Sequence, residues 1–240
     1  MTAERLEAML AKTGVEPAVF ELRPDYTAVL LAAEGLPGGA SDEASDAWLR
    51  EAEAVAVARL AGGLPEDRSQ VAMWRDAYRA FCAKPQRTRN SLEALLRRVP
   101  AGLPRINLLT DLYNALSVLH EVPVGGEDLD CYVGPARLVR AAGSEPFNTT
   151  ADGEPLVEHP EPGEVAWADD AGVTCRRWNW RQCTRTQLTP ATTRALFIVD
   201  ALGPDAVATA TAAADDLERR LRRLLPMVAT ARRTFTDRLA

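Results

Sequence analysis

Apolar residues recur at helical spacing through the first half of the chain and at mixed spacing later. Residues 3–13 read as a short amphipathic helix, and the apolar runs 18–22 and 26–33, broken by Pro24 and closed by the glycines of 35–39, predict strands. Over 41–61 apolar positions fall at Ala44, Ala47, Trp48, Ala52, Val55 and Leu60, with Ser41 as N-cap and Gly62 as stop, which predicts a helix. Val71, Trp74, Tyr78 and Phe81 form one stripe of a helix over 69–82. A third helix, 91–98, has Ser91 as cap and Pro100 as terminator; a fourth, 108–119, gathers Leu109, Leu112, Leu116 and Leu119 on one side.

After residue 120 the texture changes. Segments 132–141, 163–169 and 173–177, and more weakly 184–188, predict strands separated by Gly, Pro and Asp turns. Residues 192–202 have helical spacing, and 205–225 predicts a long helix continuing past Pro226 to the end. Helices, then a β-rich block, then helices argue an α+β fold in a single domain spanning 1–240.

Composition narrows the class. With 47% apolar and 26% charged residues the chain can bury a sizeable core and is not disordered. No run approaches the ~18 apolar residues of a membrane helix, and Glu4, Arg5 and Glu7 make the start unlike a secretion signal. A soluble cytoplasmic protein is expected. Cys82, Cys131, Cys175 and Cys183 form no CxxC pair, and His120 and His159 are far apart, so neither a metal site nor a cofactor is expected.

The net charge of -6 is unevenly spread. Residues 71–105 carry 8 basic and 2 acidic groups, and 173–240 carry 12 and 6; the other two stretches, 1–70 and 106–172, are strongly acidic with 13 acids each. The whole chain repels nucleic acid, so no DNA partner is expected, yet two segments would attract it if they shared a face. Arg219, Arg220, Arg222 and Arg223 lie on one predicted helix beside an apolar side of Leu217, Leu221, Leu224 and Leu225. They are either a solvated face or an RNA-backbone contact.

Three further clusters carry candidate chemistry. Asp111 and Asn114, three apart on a helix, either fix a polar ligand or cap the following loop. Gly125-Gly126-Glu127-Asp128 predicts a tight turn. It is either structural or a source of main-chain amides for an oxyanion, with Glu127 orienting a water. In 176–182 Trp178 and Trp180 would share one strand face and Arg177, Asn179 and Arg181 the other. That suits stacking on a base or aminoacyl side chain with Arg on carboxylate or phosphate, or else a packed Trp pair under solvated arginines. Asp169-Asp170, opposite those arginines, is either a salt-bridged turn or a grip on an α-ammonium group.

Several blocks resemble a known family in order. Asn107-Leu-Leu-Thr-Asp111-Leu-Tyr-Asn114 followed by Val122-Pro-Val-Gly125-Gly126-Glu127-Asp128 is similar to the start of the B3/B4 domain of the phenylalanyl-tRNA synthetase beta subunit. Leu138 to Gly143, Phe147 to Glu154, Val165 to Val173 and Thr189 to Leu196 resemble its later blocks. The resemblance runs over 107–202, with an N-terminal extension over 1–106 and a C-terminal helix over 205–240. The segments Tyr78 to Arg97 and Trp178 to Arg181 look like a free-standing version of the domain.

The resemblance implies a β-rich core flanked by helices and editing chemistry, the hydrolysis of a wrong amino acid from tRNA. The family's histidine falls on Gly125, and its Gly-Gly-Glu block falls on 182–184. Three functions follow: a hydrolase acting in trans on mischarged aminoacyl-tRNA, with Glu127 and Asn114 as catalytic candidates; a non-catalytic module binding tRNA or an amino-acid-like small molecule; or a biosynthetic enzyme using an amino acid or aminoacyl-tRNA. Candidate substrate contacts are Asn107, Asp111, Gly125, Gly126, Asp128, Asp169, Arg177, Trp178, Asn179, Trp180 and Arg181.

Overall fold

The computed structural model describes residues 3–237. In chain order its elements are α1 (Ala3–Leu10), β1 (Gly14–Val15), α2 (Pro17–Leu22), β2 (Thr27–Glu34), α3 (Glu43–Leu60), α4 (Ser69–Ala80), α5 (Ser91–Arg98), α6 (Leu108–His120), β3 (Val124–Asp128), β4 (Arg137–Arg140), β5 (Phe147–Ala151), β6 (Glu154–Glu158), β7 (Val165–Asp169), β8 (Gly172–Arg176), β9 (Arg181–Gln182), β10 (Arg194–Ala201), α7 (Ala206–Leu224) and β11 (Ala229–Thr236). The architecture is α+β: a four-stranded sheet in the order β11-β2-β10-β3, a five-stranded sheet in the order β1-β4-β7-β8-β9, and the β5-β6 hairpin. Among the described residues no helix is long and apolar enough to cross a membrane.

The four-stranded sheet holds the core because β2 and β10 are apolar on both faces and covered on both. On one face Leu30, Ala32, Leu196 and Ile198 pack with α1, α4 and Trp167 of the second sheet. On the other, Leu31 and Phe197 meet Leu109, Leu112 and Leu116 of α6 and Leu217 and Leu221 of α7.

The predicted helices α1 and α3 to α6 form close to their expected bounds, but two caps differ. Asp42, not Ser41, opens α3 in a reciprocal box with Ser45: Oδ1 accepts from the Ser45 amide at 2.8 Å and the Asp42 amide donates to Ser45 Oγ at 3.0 Å. Asn90, not Ser91, caps α5 by accepting from the Glu93 amide at 2.9 Å.

Larger differences have physical causes. Residues 18–22, expected as a strand, form α2 because Pro17 supplies a helical first position. Residues 192–202, expected as a helix, contain β10. Its apolar run satisfies either period, and pairing with β2 and β3 on both sides decides it. The C-terminal helix stops at Leu224, before Pro226, and the chain returns as edge strand β11 on β2. Only Arg137–Arg140 of the expected strand 132–141 pairs, and 184–188 supplies a single bridge, Glu127 to Gln187. Strands β1, β3, β5 and β6 fall outside the expected ones.

Candidate functional site

Strand β3 runs antiparallel to β10, with Glu127 opposite Leu196 and Gly125 opposite Ile198. Side chains alternate across a strand, so Gly125, Glu127, Leu196, Ile198 and Asp200 share one face. That face floors a cavity of about 270 Å³. Trp167, Cys175 and the Trp178–Gln182 segment form one wall; Thr110, Tyr113 and Asn114 of α6 form another; α5 with Pro104 and Ile106 forms the rim.

Gly125 and Gly126 are extended residues of β3, not the positive-φ turn expected, and their amides belong to a strand paired with β10. Their smallness acts through space. A Cβ on Gly126 would sit 2.7 Å from Leu188 Cδ1 and 3.0 Å from Tyr113 Cδ1, so the glycine lets α6 and the 184–188 segment close over the strand. A Cβ on Gly125 would meet nothing within 4 Å: that glycine leaves the cavity floor open.

Two buried carboxyls mark the floor. Glu127 is fully enclosed, and burial pushes its pKa up to about 7 despite the hydroxyl of Tyr132 donating to Oε2. Asp200 is likewise held at about 7 by burial, against the hydroxyl of Tyr26 donating at 2.6 Å and the amide of Asn179 at 3.4 Å. Asn179 in turn accepts from Tyr78 Oη at 3.0 Å. Asn114 is buried, lines the cavity, and its side chain has no hydrogen bond among the described residues.

The Arg/Trp segment is a reversal rather than a strand. Arg177 and Trp178 have φ of 49° and 69°, which turns Trp178 inward onto Trp74 and Tyr26, at centroid distances of 5.3 and 4.9 Å. Trp178 and Trp180 therefore do not share a strand face, although both line the cavity. The Arg177 guanidinium lies 4.4 Å above the Trp180 ring and faces a second, basic cleft with Lys84, Arg87 and Arg140. At the cavity rim Arg181 makes a 3.5 Å ion pair with Glu158, and Arg98 has no ion pair among the described residues.

Other candidates have structural tasks. Asn107 caps α6 by accepting from the Thr110 amide and donates to the Leu188 carbonyl. Asp111 ties the Ile106 amide and Ser45 Oγ. Asp128 accepts from the Asp130 amide and Thr192 Oγ1. Asp169 is held by Arg185 at 2.7 Å and Asp170 by Arg137 at 2.7 Å, so neither faces the arginines of 176–181 as expected. On α7, Arg219 and Arg220 pair with Asp216, Arg220 also with Glu51, and Arg222 with Glu218. Of the four, Arg223 alone has no ion pair among the described residues. Sequence reasoning missed Asp200, Tyr26, Gln182 and Trp167; a lone acid inside the apolar run Leu196 to Ala201 was the available signal for the first.

The B3/4 domain model matches residues 73–232. A solved structure, an N-terminal fragment of the phenylalanyl-tRNA synthetase beta subunit from Pyrococcus horikoshii, aligns with a TM-score of 0.41 at 13% identity. The alignment covers 86% of this chain and 49% of that one, so the chain spans about half the length of that fragment. No curated protein sequence matches the chain.

Proposed function

The chain belongs to the B3/4 domain family, and we propose that it is an editing-type hydrolase that acts in trans on the ester of a mischarged aminoacyl-tRNA. One observation carries this reading: Glu127, poised at about 7, stands on the floor of a cavity sized for a single amino acid. A carboxyl poised there gains and loses its proton near neutral pH and can take a proton from water. The 270 Å³ cavity and its indole walls suit an aminoacyl side chain, and the nucleic acid stays outside.

In this mechanism the Glu127 carboxylate, oriented by Tyr132, removes a proton from a water as its oxygen attacks the ester carbonyl. The carbonyl oxygen takes the negative charge, and the free amide of Asn114 is placed to donate to it. Collapse expels the ribose oxygen, which regains the proton from Glu127, leaving free amino acid and uncharged tRNA. Arg98 and Arg181 at the rim, with Lys84 and Arg87 in the adjoining cleft, supply charge for the tRNA backbone. The arginines of α7, largely spent on Asp216, Glu218 and Glu51, supply less.

The test is a panel of mischarged tRNAs. Release of amino acid is expected, slowed about 100- to 10,000-fold by Glu127→Gln; no turnover on any member refutes the hydrolase. A second reading, a binding module for an aminoacyl group without turnover, is favoured by one fact. Gly125 and Gly126 are consecutive residues of an extended strand, so their amides point to opposite edges of β3 and do not converge on one oxyanion. Binding without release of amino acid would select it.

A further inference from the structure

Several buried carboxyls in this chain are answered by arginine, and Asp111 and Asp128 are each held by a backbone amide and a hydroxyl. Glu93 has Arg75 and Arg97 at 3.0 Å each, Glu164 has Arg176 at 2.8 Å, and Asp169 has Arg185 at 2.7 Å. Asp200 and Glu127 also have neutral donors and no ion pair among the described residues, but unlike Asp111 and Asp128 both line the same cavity. A carboxylate left in a low-dielectric cavity without a cation is costly. Such a site is suited to a ligand that brings the charge.

We propose that the Asp200 end of the cavity is a subsite for a primary ammonium group, the α-ammonium of the aminoacyl moiety. This rests on the aminoacyl reading of the cavity and goes beyond it by assigning one end of the ligand to one residue. Asp200 Oδ1 accepts from Tyr26, while Oδ2 takes the long 3.4 Å contact from Asn179 and can accept a further, stronger donor. An ammonium has three donors and no acceptor. Across the cavity the unpartnered amide of Asn114, buried and lining the same space, supplies an acceptor oxygen as well as a donor. Trp167 and Trp178 line the same cavity, and an indole attracts a cation placed over its face. The missing Cβ of Gly125 keeps the floor clear between the two acids.

The spacing agrees with the chemistry. Glu127 lies opposite Leu196 and Asp200 is four residues further along β10, roughly 13 Å along the strand. An ammonium on one carboxylate, the adjacent ester carbon and an attacking water on the other carboxylate span about 11 Å. One aminoacyl ester and one water are of the same order as that backbone run, which assigns the ammonium to Asp200 and the water to Glu127 in this proposal. The acidic pair Asp169-Asp170, which the sequence suggested for the ammonium, is taken by Arg185 and Arg137.

The probe is a set of L-amino-acid amides, which resist hydrolysis: tyrosinamide, phenylalaninamide and leucinamide, each beside its deamino counterpart, 3-(4-hydroxyphenyl)propanamide, 3-phenylpropanamide and 4-methylpentanamide. Calorimetry on the intact chain is expected to show at least one amine bound about tenfold or more tightly than its counterpart. Asp200→Asn, near-isosteric and able to keep the Tyr26 hydroxyl bonded, is expected to erase that preference while leaving affinity for the deamino amide in place. Retained deamino binding reports an intact cavity in the variant; should Asp200→Asn fail to fold, Tyr26→Phe is expected to change the amine preference and not the deamino affinity. Equal binding of amine and counterpart, an undiminished preference in the variant, or no binding of any amide overturns the subsite. Deacylation of mischarged tRNA by the unaltered protein, measured separately, decides the hydrolase and is independent of these outcomes.

Discussion

Replacing Glu127 by Gln is expected to stabilise the protein at pH 8 and to lose that advantage at pH 5. Burial holds the folded carboxyl at about 7 against an ordinary 4.5. Between those values the folded chain keeps a proton that the unfolded chain has released, so this group's contribution is full below 4.5 and is lost as pH rises through 7. At about 1.4 kcal/mol per pKa unit, the loss between pH 5 and pH 8 comes to about 2.5 kcal/mol. Glutamine keeps an acceptor for Tyr132 but cannot ionise, so it escapes the loss. Asp200, also near 7, titrates in both proteins and cancels, apart from its repulsion by Glu127, which enlarges the difference. Urea unfolding of both proteins at both pH values gives the difference of differences directly. A value that is flat with pH, or one in which the Gln variant gains toward acid, would refute the buried, uncompensated carboxyl on which the proposed chemistry depends.

The two glycines of β3 are expected to part company. Gly125→Val fills the cavity floor and abolishes amide binding with little change in Tm, whereas Gly126→Ala presses on Leu188 and Tyr113 and costs about 1–3 kcal/mol by denaturant unfolding. Arg176→Ala leaves Glu164 buried without its main partner and is expected to destabilise by about 3–5 kcal/mol. For tRNA binding, alanine at Arg98, Lys84 and Arg87 is expected to lower the slope of log affinity against log salt by about 1 each, while Arg219→Ala and Arg222→Ala leave it unchanged because Asp216 and Glu218 hold those charges.

Elements that satisfy one period could be read directly: α3, α4, α5 and α6 each carry a stripe that fits a helix and not a strand. Those that satisfy two could not. Leu196 to Ala201 is apolar at every position except Asp200, so spacing alone does not separate a buried helix from a strand covered on both faces. β11 lies beyond Pro226, where its Thr and Arg residues looked like a helix tail until pairing with β2 fixed them. The neutralisation of α7 was open to inspection, since Asp216 stands three and four residues before Arg219 and Arg220, and Glu218 four before Arg222. Asp200 was hidden for a different reason: misreading its strand removed the alternation that aims it at Glu127's face.

That alternation also explains why a five-residue segment carries so much of the candidate site. Along Gly125–Asp128 odd positions face the cavity and even positions face α6 and the 184–192 segment. Gly125 and Glu127 thus provide space and a proton-active group, while Gly126 and Asp128 provide close packing and an anchor for Thr192. A turn would have exposed two amides and left Glu127 in solvent, where its pKa stays near that of any free carboxyl. Extended and paired with β10, the same residues bury the acid, open the floor beside it and place Asp200 at the far end. The poised carboxyl follows from the strand and would be lost with the turn.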